Sequence, residues 1–119
     1  MDSTELKRRT KQFAHRCIRA ATSLPENKLG KHIQGQLIRC STSVAANYRA
    51  VCLAHSKAAF ASKLSIVIEE VDESDFWIEF AVDEKLLKAK LVSELRKEAQ
   101  QLLSIFLASR KTIQTREKK

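Results

Sequence analysis

Turn-forming residues are almost missing from this sequence, which has two glycines and one proline in 119 residues. That scarcity argues against folds built on many tight turns and leaves a few long regular elements. No apolar run reaches the ~20 residues that cross a bilayer. The opening Met1-Asp2-Ser3-Thr4-Glu5 carries no apolar stretch of the signal-peptide kind. A cytoplasmic protein is the expectation. Cysteine is scarce and odd in number: Cys17, Cys40 and Cys52 show no CxxC spacing and lie among apolar helical positions. They read as buried, reduced thiols and argue against a disulfide framework or a zinc site.

Catalytic patterns are lacking too. There is no glycine-rich phosphate loop, and no serine or cysteine stands in a nucleophile motif. The three histidines, His15, His32 and His55, are scattered. The best metal candidate is the run Glu69-Glu70-Val71-Asp72-Glu73, because di-iron bundles use inward carboxylates. Those bundles also need Glu-x-x-His pairs, and the sequence has none. No enzyme activity, metal or cofactor is expected.

What is present favours helix: alanine, leucine, lysine, glutamate and arginine dominate. A length of 119 residues suits one core. Apolar residues recur at three- and four-residue steps in four stretches. The first, about Thr4 to Thr22, has Leu6, Thr10, Phe13, Cys17, Ala20 and Leu24. Ser23-Leu24-Pro25-Glu26 reads as a stop and restart, with Ser23 as cap of a second helix over about Pro25 to Leu53. That helix carries Leu29, Ile33, Leu37, Cys40, Val44, Tyr48 and Val51. Ser56 should cap a third, with Phe60, Leu64, Val67, Val71, Ser74, Ile78 and Ala81 as its seam. Asp83 should cap a fourth, carrying Leu87, Leu91, Leu95, Leu102, Phe106 and Ile113.

Amphipathic helices joined by tight corners pack as neighbours, so the fold class is all-α, an antiparallel up-down-up-down four-helix bundle. Its expected length is about 30–40 Å. Residues 1–113 form one domain, and 114–119 form a flexible charged tail. The expected core is Phe13, Cys17, Ile33, Leu37, Cys40, Val44, Leu64, Val67, Val71, Ile78, Leu91, Leu95 and Leu102.

The formal net charge is +8, which fits acidic partners such as nucleic acid. From Met1 to Ser23 there are six basic and two acidic residues; from His55 to Asp83, two basic and seven acidic; and from Glu84 to Ile113, seven basic and three acidic. The third helix is thus acidic between basic neighbours. Opposite Phe13 on the first helix lie Arg8, Lys11, His15 and Arg19, which form either a solvated face or a phosphate-facing stripe. Lys88, between Lys85 and Lys90, is a further phosphate candidate. No aromatic interleaves with these bases, so single-strand stacking is unsupported.

The third helix has a second cluster around it: Ile66, Glu69, Glu70, Glu73, Trp77 and Phe80. It is either the rim of a broad core face or a packing surface for another subunit, its carboxylates paired to arginines. Gly35, Arg39, Thr42, Ala46 and Arg49 on the second helix offer small residues for close approach and two arginines for pairing. Ile66, Glu70, Glu73, Trp77 and Phe80 meeting Arg39 and Arg49 head-to-tail would close a ring, with Trp77 largely buried.

The stretch Gln36-Leu37-Ile38-Arg39-Cys40-Ser41-Thr42-Ser43-Val44-Ala45-Ala46-Asn47-Tyr48-Arg49 resembles a signature of the bacterial four helix bundle protein family. That family is also known from proteins encoded within intervening sequences of bacterial 23S ribosomal RNA genes. The likeness continues through Ser56-Lys57-Ala58-Ala59-Phe60, Lys63-Leu64-Ser65-Ile66-Val67, Glu69-Glu70-Val71-Asp72-Glu73-Ser74 and Trp77-Ile78-Glu79, with Leu24-Pro25 at the first corner. The resemblance implies an antiparallel four-helix bundle that assembles as a homo-oligomeric ring, typically a pentamer. The accessory protein of diversity-generating retroelements is similar, and its basic ring binds nucleic acid and a reverse transcriptase. Expected partners are therefore further copies of the chain, RNA or DNA, and a nucleic-acid enzyme such as a reverse transcriptase. Ala46 departs from the pattern, where close relatives often carry glycine, and the fourth helix matches weakly. A bundle that docks protein alone is the alternative.

Overall fold

Each helix is explained by the residues at its ends and by one apolar stripe. The computed structural model describes residues 2–117, with four helices in the order α1 (Ser3–Thr22), α2 (Lys28–Cys52), α3 (Lys57–Asp83) and α4 (Ala89–Glu117). Consecutive helices pack side by side, and α1 closes the bundle against α4 through the sparsest of the four seams. The molecule measures 51 × 22 × 21 Å, longer than the expected 30–40 Å; the 29 residues of α4 alone span about 43 Å.

Asp2 starts α1 by accepting the Glu5 backbone N–H at 2.8 Å. The buried side of α1 is Leu6, Thr10, Phe13, Ala14, Cys17 and Ala21; Ala20, expected there, is half-buried. Thr10 is tolerated inside because its hydroxyl donates to the Leu6 carbonyl at 2.9 Å.

The first corner differs from the sequence expectation. Ser23 ends α1, and its hydroxyl donates back to the Ala20 carbonyl at 2.7 Å. Pro25 and Glu26 stay in the corner. Asn27 is the true cap of α2, accepting the Gly30 N–H at 2.8 Å. Gly30 lies so close to the corner that a Cβ there would stand 1.9 Å from the Pro25 carbonyl oxygen.

Ser56 caps α3 as expected, accepting the Ala59 N–H at 3.0 Å. Asp83 does not cap α4; it is the last residue of α3. Lys85 follows in the left-handed region with φ 60°. The Leu86 N–H bonds the Ala81 carbonyl at 2.8 Å and the Lys85 N–H bonds that of Val82 at 2.9 Å. This is the paired arrangement that closes a helix through a left-handed residue. Helix α4 then continues through Glu117, past Ile113, so four residues expected in the tail are helical; Lys118 and Lys119 lie outside the described residues.

One core runs down the bundle, with Phe13, Leu37, Val44, Leu64, Val71, Leu102 and Phe106 nearly without solvent contact. A smaller cluster of Leu24, Ile33 and Ala81 seals one end under Trp77, Phe80, Leu86 and Leu87. Twelve of the thirteen expected core residues are buried. Leu91 is the exception at 79% exposure, because α4 turns Val92, Leu95, Ala99, Leu102 and Phe106 inward instead. Leu29 is likewise at the surface, 36% exposed. The acidic α3 is held on both sides: Arg39 of α2 reaches Glu70 and Glu73, and Arg96 of α4 reaches Asp75 at 2.8 Å and Glu79 at 3.0 Å.

Candidate nucleic-acid interface

Residues one helical turn apart share a face, so Lys7 and Lys11 on α1 stand in line, with Arg8 beside them. Thr42, Ala45, Ala46 and Arg49 form the matching side of α2. The two rows enclose an open groove of about 560 Å³ lined by Lys7, Arg8, Lys11, Thr42, Ala45, Ala46 and Arg49. Its floor is small and its walls are cationic, and among the described residues no carboxylate lines it. All four basic side chains are exposed. Arg8 is partly engaged, donating from Nε to Glu5 at 3.0 Å, and that bond holds the Glu5 carboxyl below its ordinary value. Thr42 contributes little polarity, because its hydroxyl donates to the Ile38 carbonyl at 2.7 Å.

The structure divides the basic residues singled out in the sequence. Arg8 and Lys11 line this groove. Arg19 and Lys88 line a second cleft of about 400 Å³ between α1 and α4. Eleven residues separate Arg8 from Arg19, roughly 16 Å along the helix, so no single patch holds all four. Lys7 was missed; its signal was the four-residue step to Lys11. Arg9 belongs to neither site: it is tucked against Glu98 at 3.0 Å on the α1–α4 seam.

The residues expected at a subunit contact are also redistributed. Arg39 bonds Glu70 at 3.2 Å and also Glu73 within the same chain, so the pairing expected between subunits is satisfied internally. Arg49 stands in the basic groove. Trp77 is half-buried, donating from Nε1 to Glu73 at 3.1 Å, with its ring 5.4 Å from His32 and 4.9 Å from Phe76. Burial pushes Glu73 up, but the Trp77 N–H and Arg39 outweigh it and hold the carboxyl below its ordinary value. Phe80 covers the end cluster, and Ile66 is 40% exposed.

Phe76 was not singled out. It is 48% exposed and points away from the core together with Ile66, Glu69, Asp72 and Asp83. At about 100° per residue these positions share the outer arc of α3. The clue was the phenylalanine preceding Trp77 by one residue, on the side opposite Ile78.

Burial pushes the Cys17 and Cys40 thiols up, so both stay protonated. Among the described residues, no three of histidine, cysteine, aspartate and glutamate converge to hold a metal ion. Nor is any helix among them long and apolar enough to cross a membrane.

The family described as 23S rRNA-intervening sequence protein matches residues 3–108. The chain belongs to this family. Membership takes in α1, α2, α3 and most of α4, and with them both basic clefts. Among solved structures, the fold is similar to that of a protein of unknown function from the S23 ribosomal protein family of Bacteroides thetaiotaomicron VPI-5482. The TM-score is 0.85 at 22% identity, covering 93% of this chain and 99% of that one. No curated protein matches.

Proposed function

We propose that this 23S rRNA-intervening sequence protein family member is a non-enzymatic bundle that binds RNA or DNA through its basic outer surfaces and assembles as a ring. The α1–α2 groove carries the reading: Lys7, Arg8, Lys11 and Arg49 line one concave surface with no carboxylate among its described lining residues. Such a surface neutralises phosphates and releases their counterions. The small floor of Thr42, Ala45 and Ala46 lets a backbone approach the cations. With no aromatic among these residues, the groove takes the phosphate backbone and leaves the bases unread.

Random-sequence RNA and DNA duplexes, titrated over a range of salt, test this. The triple variant Lys7→Ala, Lys11→Ala, Arg49→Ala should weaken binding to every sequence alike. For duplex DNA it should also reduce the salt slope by about 0.9 for each phosphate that is no longer neutralised. Equal binding by both proteins would remove the groove from the function.

The outer face of α3 supports the ring. Ile66 and Phe76 are exposed among Glu69, Asp72 and Asp83, none of which forms an ion pair among the described residues. An apolar face set with free acids suits a cationic surface on the next copy, and two unlike surfaces joined head-to-tail generate rings. Sedimentation at low micromolar concentration should show a closed oligomer, with five subunits the expectation. Phe76→Glu should release monomers, and a 13.5 kDa wild-type species would exclude the ring.

A further inference from the structure

The second basic cleft has a different chemistry from the groove. It lies where the end of α1 meets the start of α4, and its volume is about 400 Å³. Leu87, Leu91 and Val92 are among its apolar lining residues, and Arg16, Arg19 and Lys88 line it with them. Leu91, 79% exposed, is more exposed than any other large apolar side chain among the described residues. A leucine so placed makes no contribution to the core of this chain. Among the described residues none of the three cations is in an ion pair. The lining carboxylate, Glu94, is turned to Lys97 at 3.2 Å.

We infer that this cleft docks an acidic amphipathic segment of a partner protein, a helix whose leucine or phenylalanine side chains cover Leu91 while its carboxylates meet Arg16, Arg19 and Lys88. Charge complementarity selects the acid, and the leucine selects a side chain over a phosphodiester. A nucleic-acid backbone gains nothing from Leu91, whereas a helix laid into a groove uses apolar anchors at three- and four-residue steps. The charged rim speeds encounter and sets orientation, and the apolar centre supplies the larger share of affinity. The inference stands apart from phosphate binding in the α1–α2 groove, because the two sites share no lining residue.

The test uses the full chain and a fluorescein-labelled helical peptide carrying leucine at three- and four-residue steps and glutamate on the flanks. Fluorescence anisotropy should show saturable binding. Replacing the peptide's leucines by serine, or its glutamates by glutamine, should each weaken it about tenfold or more, one decade being about 1.4 kcal/mol. Leu91→Glu, at a site exposed enough to leave folding intact, should weaken it comparably. The double variant Arg16→Ala, Lys88→Ala should do so with Leu91 in place. Lys11→Ala should leave it unchanged. Unaltered binding by Leu91→Glu overturns the inference. So does a change in the sedimentation of Leu91→Glu alone, which would assign the cleft to contacts between copies. Random-sequence RNA binding that depends on Arg16 and Lys88 but not on Leu91 overturns it as well, in favour of nucleic acid.

Discussion

Gly30 has no room for a methyl group. Its missing Cβ would fall 1.9 Å from the Pro25 carbonyl oxygen and 2.9 Å from the carbonyl carbon, both backbone atoms that cannot swing aside. Its N–H also holds the Asn27 cap. The glycine is therefore required for space at a corner, and its φ is not positive. Gly30→Ala should destabilise the fold by about 1–3 kcal/mol, as overpacking does, and should lower the thermal midpoint. Gly35→Ala, with nothing within 4 Å of the added carbon, serves as the control and should match or slightly exceed wild type.

At the level of elements, the corner between α3 and α4 is closed by an unfavourable residue. Lys85 takes φ 60°, a conformation that costs an L-residue about 1–2 kcal/mol relative to glycine. Lys85→Gly should recover part of that, about 0.5–1 kcal/mol after the added entropy of the unfolded chain, and should raise the denaturation midpoint at an unchanged slope. In α4 the inward stripe is Val92, Leu95, Ala99, Leu102 and Phe106. Leu102→Ala should cost about 2–5 kcal/mol, and Leu91→Ala should stay within about 0.5 kcal/mol of wild type. Chemical denaturation of the two variants side by side checks the register of α4, and equal losses would rotate the helix.

Across the whole molecule, electrostatics ties the acidic α3 to its two basic neighbours. Glu73 is the informative titrating group, since Trp77 and Arg39 together hold its folded pKa below the ordinary 4.5. A depressed carboxyl stabilises the folded state above its unfolded value, and that contribution is lost as pH falls through the folded one. Stability should therefore be level from neutral pH down to about 5 and should decline below about pH 4.5. Glu73→Gln should make that acid decline shallower, because the group that takes up the proton is gone. Urea melts between pH 3 and 7 read this directly, and identical pH profiles for variant and wild type would remove Glu73 from the linkage. The side chain is about a third exposed, so solvent and salt screen the effect.

The number of helices, their order and nearly all of the core follow from the sequence alone. Burial on one side of a helix leaves a three-and-four-residue period that needs no knowledge of the neighbours. Arg8 and Lys11 are legible as part of the side opposite the apolar stripe, whereas Lys7 was not picked out. Only the tertiary structure decided matters in which two local choices were nearly equal, or in which the partner lay far along the chain. Ser23 and Asn27 are both able to cap, and in the folded corner it is Asn27 that accepts the Gly30 N–H. Leu91 and Val92 stand about 100° apart on a broad stripe, and packing against α1 and α3 turned Val92 inward. Arg39 finds its carboxylates 31 and 34 residues away. At that separation periodicity gives no direction, so an ion pair within one chain looks the same in sequence as one between subunits. The division of Arg8 and Lys11 from Arg19 and Lys88 has the same origin. One helix supplies three of these cations, but each cleft is completed by a different neighbour, α2 for the first and α4 for the second.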